Sequence, residues 1–193
     1  MKNSSRLFLT LAALATVAFQ SASAAVETYT IDPDHSSVGF SIRHFVSKVA
    51  GSFNKVTGTI VVDRANLEKS SVEAVIAISS VNTANEKRDA HLQTPDFFDA
   101  AKFATATFKS KAWKKTGEDS FDVTGDLILK GVTKEIVLKT KLLGFGPGMQ
   151  GAQLSGWEST ITLNRSDFGV SGYAGAIGDD VALTISVEAD LKK

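Results

Sequence analysis

The chain has 193 residues, with 21 Lys and Arg against 21 Asp and Glu and no cysteine. That balance offers no basic field to grip nucleic acid by its phosphates and no polybasic patch for anionic lipid. The lack of cysteine excludes a disulfide scaffold, thiol catalysis and cysteine metal sites.

The first residues read as an export signal. Lys2 and Arg6 precede the apolar run Leu7 to Phe19, and Ala22-Ser23-Ala24 follows as an A-x-A cleavage signal. A bilayer span takes about 20 apolar residues, so the run is too short for an anchor. Cleavage between Ala24 and Ala25 is expected, which makes residues 1–24 a signal peptide and 25–193 one domain. No cysteine follows the cleavage point for lipid attachment. A periplasmic protein secreted without a membrane span is the reading.

Strand signals then dominate. After a short segment Val26 to Ile31, apolar residues alternate with polar ones in Val38-Phe40-Ile42, Val56-Gly58-Ile60-Val62 and Val72-Ala74-Ile76-Ile78. The same period of two runs through Ala104-Ala106-Phe108, Phe121 to Leu129, Ile136 to Leu142, Trp157 to Leu163 and Val181 to Ala189. Turn chemistry separates these runs at Asp32-Pro33-Asp34, Thr116 to Asp119, Lys130-Gly131 and a glycine-rich loop from Gly144 to Gly151. About eight such strands predict an antiparallel sandwich or barrel. Two of them reach about ten residues, roughly 33 Å at 3.3 Å each. A barrel of such strands is either filled by its own side chains or holds an elongated apolar ligand. Gly58, Ala74, Ala104, Ala106 and Gly125 are small residues that would leave room inside.

One stretch breaks the pattern: SVNTANEKRDAHLQTPDFFD, Ser80 to Asp99. Thr83 to Glu86 has the spacing of a capping box, and Thr94-Pro95 looks like a second helix start. Phe97 and Phe98 are adjacent and cannot share one narrow helical face. This short helical insert is expected at one end of the barrel, as a lid or as a plug.

Catalytic and metal signals are missing. His35, His44 and His91 show no H-x₃₋₅-H or H-E-x-x-H spacing, and Asp32-Pro33-Asp34-His35 reads as a turn capped by its own carboxylates. There is no G-x-S-x-G elbow and no phosphate or dinucleotide loop. Asp179-Asp180 is expected in a turn before the last strand. Two polar clusters remain, Arg88-Asp89-His91 in the insert and Asn164 to Asp167 after an apolar strand. The first is either a solvated helix face or a polar rim beside an apolar cavity, where Arg88 can take an anionic head group bidentately, and the second reads as a turn with an Asp/Arg contact.

In order, these segments resemble one family. YTIDPDHSSVGFSIRHFVSKVAGSFNKVTGTIVVD (Tyr29 to Asp63) is similar to its opening, with a D-x-x-H-S turn, then F-x-x-x-H and G-x-F. SVNTANEKRDAHLQTPDFFDAAKFATATFKS (Ser80 to Ser110) is similar to its middle signature, and GDLILKGVTKEIVL and LNRSDFGV to its later ones. The chain thus resembles, over residues 26–193, the YceI-like family of secreted bacterial proteins, also described as polyisoprenoid-binding. Lys102-Phe103-Ala104 departs from it, standing where relatives often place a proline.

The resemblance implies an extended lipocalin-like antiparallel β-barrel around a long isoprenoid or other amphiphilic chain, with no catalytic activity. Read together with the residues, it makes Phe40, Phe45, Phe53, Phe97, Phe98 and Phe108 candidates for the apolar lining or mouth. His35, His44, Arg88, Asp89, His91 and Arg165 are candidates for the polar end. The expected partner is a long-chain isoprenoid, such as a polyisoprenoid or isoprenoid quinone, or another amphiphilic lipid, without cofactor, metal or nucleic acid. A homodimer is among the assemblies this allows. The rival readings are an enzyme acting on such a lipid and a stress-response protein with a filled barrel.

Overall fold

The computed structural model describes residues 26–192. The expected signal segment and its cleavage point lie outside these residues. Eleven strand segments form one continuous antiparallel sheet that closes on itself. They are β1 (Val26–Ile31), β2 (Ser37–His44), β3 (Ser47–Phe53), β4 (Val56–Asp63), β5 (Ser71–Ala77) and β6 (Val81–Asn82). After the helix α1 (Glu86–Leu92) come β7 (Thr105–Lys115), β8 (Ser120–Leu129), β9 (Val132–Pro147), β10 (Gln153–Asn164) and β11 (Ile177–Leu191).

Eleven segments make an eight-stranded barrel because three of its strands are broken. β1 and β2 lie end to end along β11, with Ile31 opposite Ala189 and Ser37 opposite Ser186. The break is the predicted Asp32 turn, in which the Asp34 amide donates to Asp32 Oδ1 at 2.8 Å. β4 and β3 in turn run along β1 and β2, and β5 and β6 along β4 and β3. From β7 to β11 each strand pairs with the next, and β11 closes the ring on β1. Register shifts in β7, β9 and β11 mark bulges, which add the twist and bend that closure demands.

Half-burial explains why these sequences are strands. In β8 the inward positions Phe121, Val123, Gly125 and Leu127 are buried, and the residues between them are more exposed. One end of the barrel is sealed by aromatic packing. Trp113 meets Trp157 edge-on at 5.4 Å, Phe145 meets Trp157 at 5.9 Å and Tyr29 lies 6.0 Å from Phe145. Arg64 sits over the Phe145 ring at 3.7 Å and donates to Glu27 and the Tyr29 hydroxyl, finishing that seal.

Several expectations change. β3 and the two-residue β6 stand where no strand is foreseen, because the run SKVAGSF has only two large apolar residues to mark its period. β9 continues into the glycine-rich stretch as far as Pro147, because Phe145 and Gly146 pair with Ser155 and Leu154. Asp179 and Asp180 lie inside β11, at its bulge, not in a turn before it. α1 starts at Glu86 with Asn85 as N-cap, its side chain accepting from the Arg88 amide, so Thr83 is not the cap. Thr94-Pro95 opens a turn and no second helix.

Of the small residues, Ala74 and Ala106 do line the interior. Ala104 is exposed ahead of β7. The space over Gly125 is taken by the Phe108 ring, 2.6 Å from where a Cβ would be, and Gly58 (φ +146°) lets the β5 backbone approach. Among the described residues, no helix is long and apolar enough to cross a membrane.

Candidate functional site: an apolar cavity under a clamped insert

The barrel encloses a cavity in two lobes. The outer lobe, of about 190 Å³, lies beneath the α1 insert and is walled by residues such as Phe40, Phe53, Leu92 and Phe98. The inner lobe, of about 120 Å³, reaches down to Trp113 and Trp157. Val38, Ile76, Leu127, Leu163 and Leu183 border both lobes, so the two abut along the barrel. Their walls are almost wholly apolar; the main polar pair within is Thr140 Oγ1 with Ser159 Oγ, 2.9 Å apart and satisfied by each other. Such walls favour hydrocarbon over water.

The insert is held over the outer lobe by a polar clamp centred on buried Thr83. Asp89 Oδ1 accepts from the Thr83 amide at 2.8 Å and from its hydroxyl at 2.5 Å. Arg88 donates through Nε to the Thr83 hydroxyl and through Nη2 to its carbonyl, both at 2.7 Å. Charge-assisted bonds of this kind are the strong ones. Further along, Phe98 packs edge-on against Phe53 at 5.5 Å. Phe97 stacks on Tyr173 at 5.8 Å, and His91 meets both rings edge-on. Lys130 ties the insert down from the β8–β9 turn, donating to the carbonyls of Pro95 and Gly169.

Arg165 follows β10 in a short 3₁₀ turn and is buried. Its guanidinium donates to the carbonyls of Gly178, Val170, Gly172 and Ile177, with Asp179 at 3.4 Å from Nε. It therefore stitches the chain between β10 and β11 onto the barrel rim.

The twelve candidate residues fall into distinct places. Phe40, Phe53, Phe97, Phe98, His44, Arg88 and Arg165 line the outer lobe, and Phe108 lines the inner one. Phe45 lines neither; it stands 61% exposed at the tip of the β2–β3 hairpin. Asp89 faces Thr83 as described, and His91 is bonded to Asp96 at 3.2 Å behind Phe97.

His35 is remote from the cavity, in the turn between β1 and β2, with Nδ1 2.7 Å from Asp32 Oδ2. The Asp32 hydrogen bond and charge raise the His35 pKa above the ordinary histidine value, and the hydrogen bonds from His35 and the Asp34 amide hold the Asp32 carboxyl below its own. Asp32, His35 and Glu188 bring three potential metal ligands within 4.8 Å of one another. His35 and Glu188 are open to solvent, and the turn is already held by its own hydrogen bonds.

Sequence reasoning assigns Thr83 only to a cap and gives Trp113 and Trp157 no place in the site. Trp157 stands on the inward side of an alternating run, and that position was the available signal.

A closed eight-stranded barrel with one end sealed by aromatics, an insert over the other and an apolar cavity between is a lipocalin-like barrel protein. Within that class the chain belongs to the YceI-like family, since the YceI-like domain profile matches residues 29–189. It is 38% identical over 182 residues to Protein YceI of Escherichia coli, covering 93% of this chain and 95% of that protein. It is 39% identical over 163 residues to a UPF0312 protein of Ectopseudomonas mendocina, covering 83% and 85%.

Among solved structures, the Campylobacter jejuni YCEI protein superposes with a TM-score of 0.71 at 36% identity, over 78% of this chain and 90% of that one. BcnA of Burkholderia cenocepacia shares the fold, with a TM-score of 0.75 at 21% identity, covering 82% and 99%. So does a polyisoprenoid binding domain from Saccharophagus degradans, at 0.65 and 17%, covering 85% and 98%.

Proposed function

We propose that the protein binds an elongated amphiphile, such as a polyisoprenoid or an isoprenoid quinone, and carries or sequesters it in the periplasm. The observation that carries this reading is the two-lobed cavity with almost wholly apolar walls, running inward from beneath the insert. Each buried CH₂ contributes about 0.8 kcal/mol, so a long chain along both lobes binds tightly without any polar anchor. Arg88 uses Nε and Nη2 on Thr83, so its guanidinium serves the clamp over the outer lobe. The polyisoprenoid-binding neighbour of the same fold supports the ligand class, and the leader-like first residues support export.

We read the action as binding, which the separation of His35, His44 and His91 on different elements supports. Native mass spectrometry of gently purified protein, with lipid extraction, tests the reading. A co-purifying isoprenoid lipid is expected. Protein that yields none, and that fails to take up isoprenoids or quinones, refutes it. Chemical change of the bound lipid, stopped by one histidine-to-alanine substitution, would make the protein an enzyme instead.

A further inference from the structure

The β2–β3 hairpin ends in a two-residue turn, with His44 paired to Ser47 and Phe45-Val46 at its tip. Both tip side chains face solvent, Phe45 at 61% and Val46 at 103% relative exposure. Phe45 also holds φ +47°, a left-handed conformation that tight hairpins normally give to Gly, Asn or Asp. A large apolar residue there is costly twice, in backbone strain and in exposed surface, and such outliers concentrate at functional positions. The tip is not loose. Arg43 Nη1 donates to the Phe45 carbonyl at 3.0 Å, and the Phe45 amide donates to the Ala176 carbonyl at 2.8 Å.

That second bond joins the hairpin to the turn carrying Tyr173, itself 56% exposed and stacked on Phe97. Phe97 and the hairpin residues Ile42, His44 and Val49 line the outer lobe. The exposed apolar tip is therefore continuous with the cavity wall, at the end opposite the aromatic seal. Flanking the tip, Arg43 and Lys48 face each other across the ladder. Lys48 makes no ion pair among the described residues; of the acids at this end, Asp179 lies 3.4 Å from Arg165 Nε and Asp96 is hydrogen-bonded to His91, while Asp180 shares the β11 bulge with Asp179.

We propose that this tip inserts into a lipid surface, with Arg43 and Lys48 against anionic head groups, and so brings the cavity rim to the membrane. The proposal rests on the amphiphile-binding reading of the cavity, because its use is to let a ligand pass between bilayer and barrel without crossing water. A projecting apolar point flanked by cations suits a fluid interface, which needs no matching pocket. A second copy of the chain is a poorer occupant, since stable protein contacts bury about 800 Å² on each partner and a two-residue tip offers far less.

The test uses the mature chain with vesicles of phosphatidylethanolamine and phosphatidylglycerol that contain no prenol. Wild-type protein should co-sediment with them, and F45S/V46S should weaken the partition by about tenfold or more. Lys48→Glu should weaken it less, with a salt-sensitive loss. Val46→Ser alone, at a side chain that touches little, covers the case in which the double variant fails to fold. Wild-type protein that stays in the supernatant, or variants that sediment as wild type does, overturn the proposal. So does a wild-type dimer, seen by sedimentation velocity without vesicles, that F45S/V46S dissociates. Uptake of geranylgeraniol, followed separately by native mass spectrometry of wild-type protein, tests the cavity reading. Failure there removes the binding function, whereas vesicle sedimentation alone decides the docking.

Discussion

At the scale of single residues, polar side chains near the rim divide between holding the chain and meeting solvent. Arg165 holds: its guanidinium serves four carbonyls from a buried position. Arg165→Ala strands those acceptors and should cost about 3–5 kcal/mol in urea denaturation. Arg165→Lys should recover only part, because an ammonium cannot reproduce the planar fork. His35 meets solvent, and its bond to Asp32 makes it a titration probe. Its pKa is raised in the folded chain, so what the pair adds to stability is complete below the ordinary histidine pKa and fades as pH rises through the folded value. Asp32 shows the opposite: its pKa is lowered, so its share is present above the ordinary carboxylate pKa and is lost as pH falls through the folded one. Titration by proton NMR should place His35 above a free histidine, and Asp32→Asn should bring it back down. The Asp32 turn follows from Asx chemistry in the sequence. The Arg165 stitch could not be foreseen, because its partners lie up to thirteen residues away and only the closed barrel brings them close.

Among the elements, the insert controls the cavity. α1 has only seven residues, too short to stand alone, so its stability comes from its anchors. Asn85→Ala removes an N-cap and should cost about 1 kcal/mol. Asp89→Ala should do more, because it releases the Thr83 amide and hydroxyl together and leaves Arg88 holding Thr83 alone. Hydrogen exchange should then speed up across residues 83–103 while the β8 and β10 amides stay protected. Unchanged exchange in the insert would show that the Phe97 and Phe98 contacts suffice to hold it. The alternation of apolar residues located most strands because nearly all are buried on one face only. It failed where pairing overrode composition, as in β9 carried past Gly144 by its partner β10, and where small and charged residues thinned the pattern, as in β3.

For the molecule as a whole, the two lobes make chain length a measurable property. An occupant of the outer lobe alone touches neither tryptophan, whereas a longer one passes Leu127 and Leu163 to reach Trp113 and Trp157. Affinity for a series of prenols should therefore rise with each added isoprene unit, and tryptophan fluorescence should begin to respond only at the longer members. Each CH₂ contributes up to about 0.8 kcal/mol while the chain still has apolar wall to cover. Ala74 lines only the inner lobe, beside the Gly58 approach. Ala74→Phe should fill that lobe, halt the rise in affinity at shorter chains and abolish the fluorescence response, while leaving short prenols bound as in wild type. An equal loss for short and long chains would mean that the lobes do not act in series. The hollow interior itself was not readable from the strands: a filled barrel shows the same alternation, and two of the five small residues taken to make room, Gly58 and Gly125, serve close packing instead. What separates the two cases is where large side chains point after closure, with Trp113 and Trp157 gathered at one end and the middle left to Val, Ile and Leu.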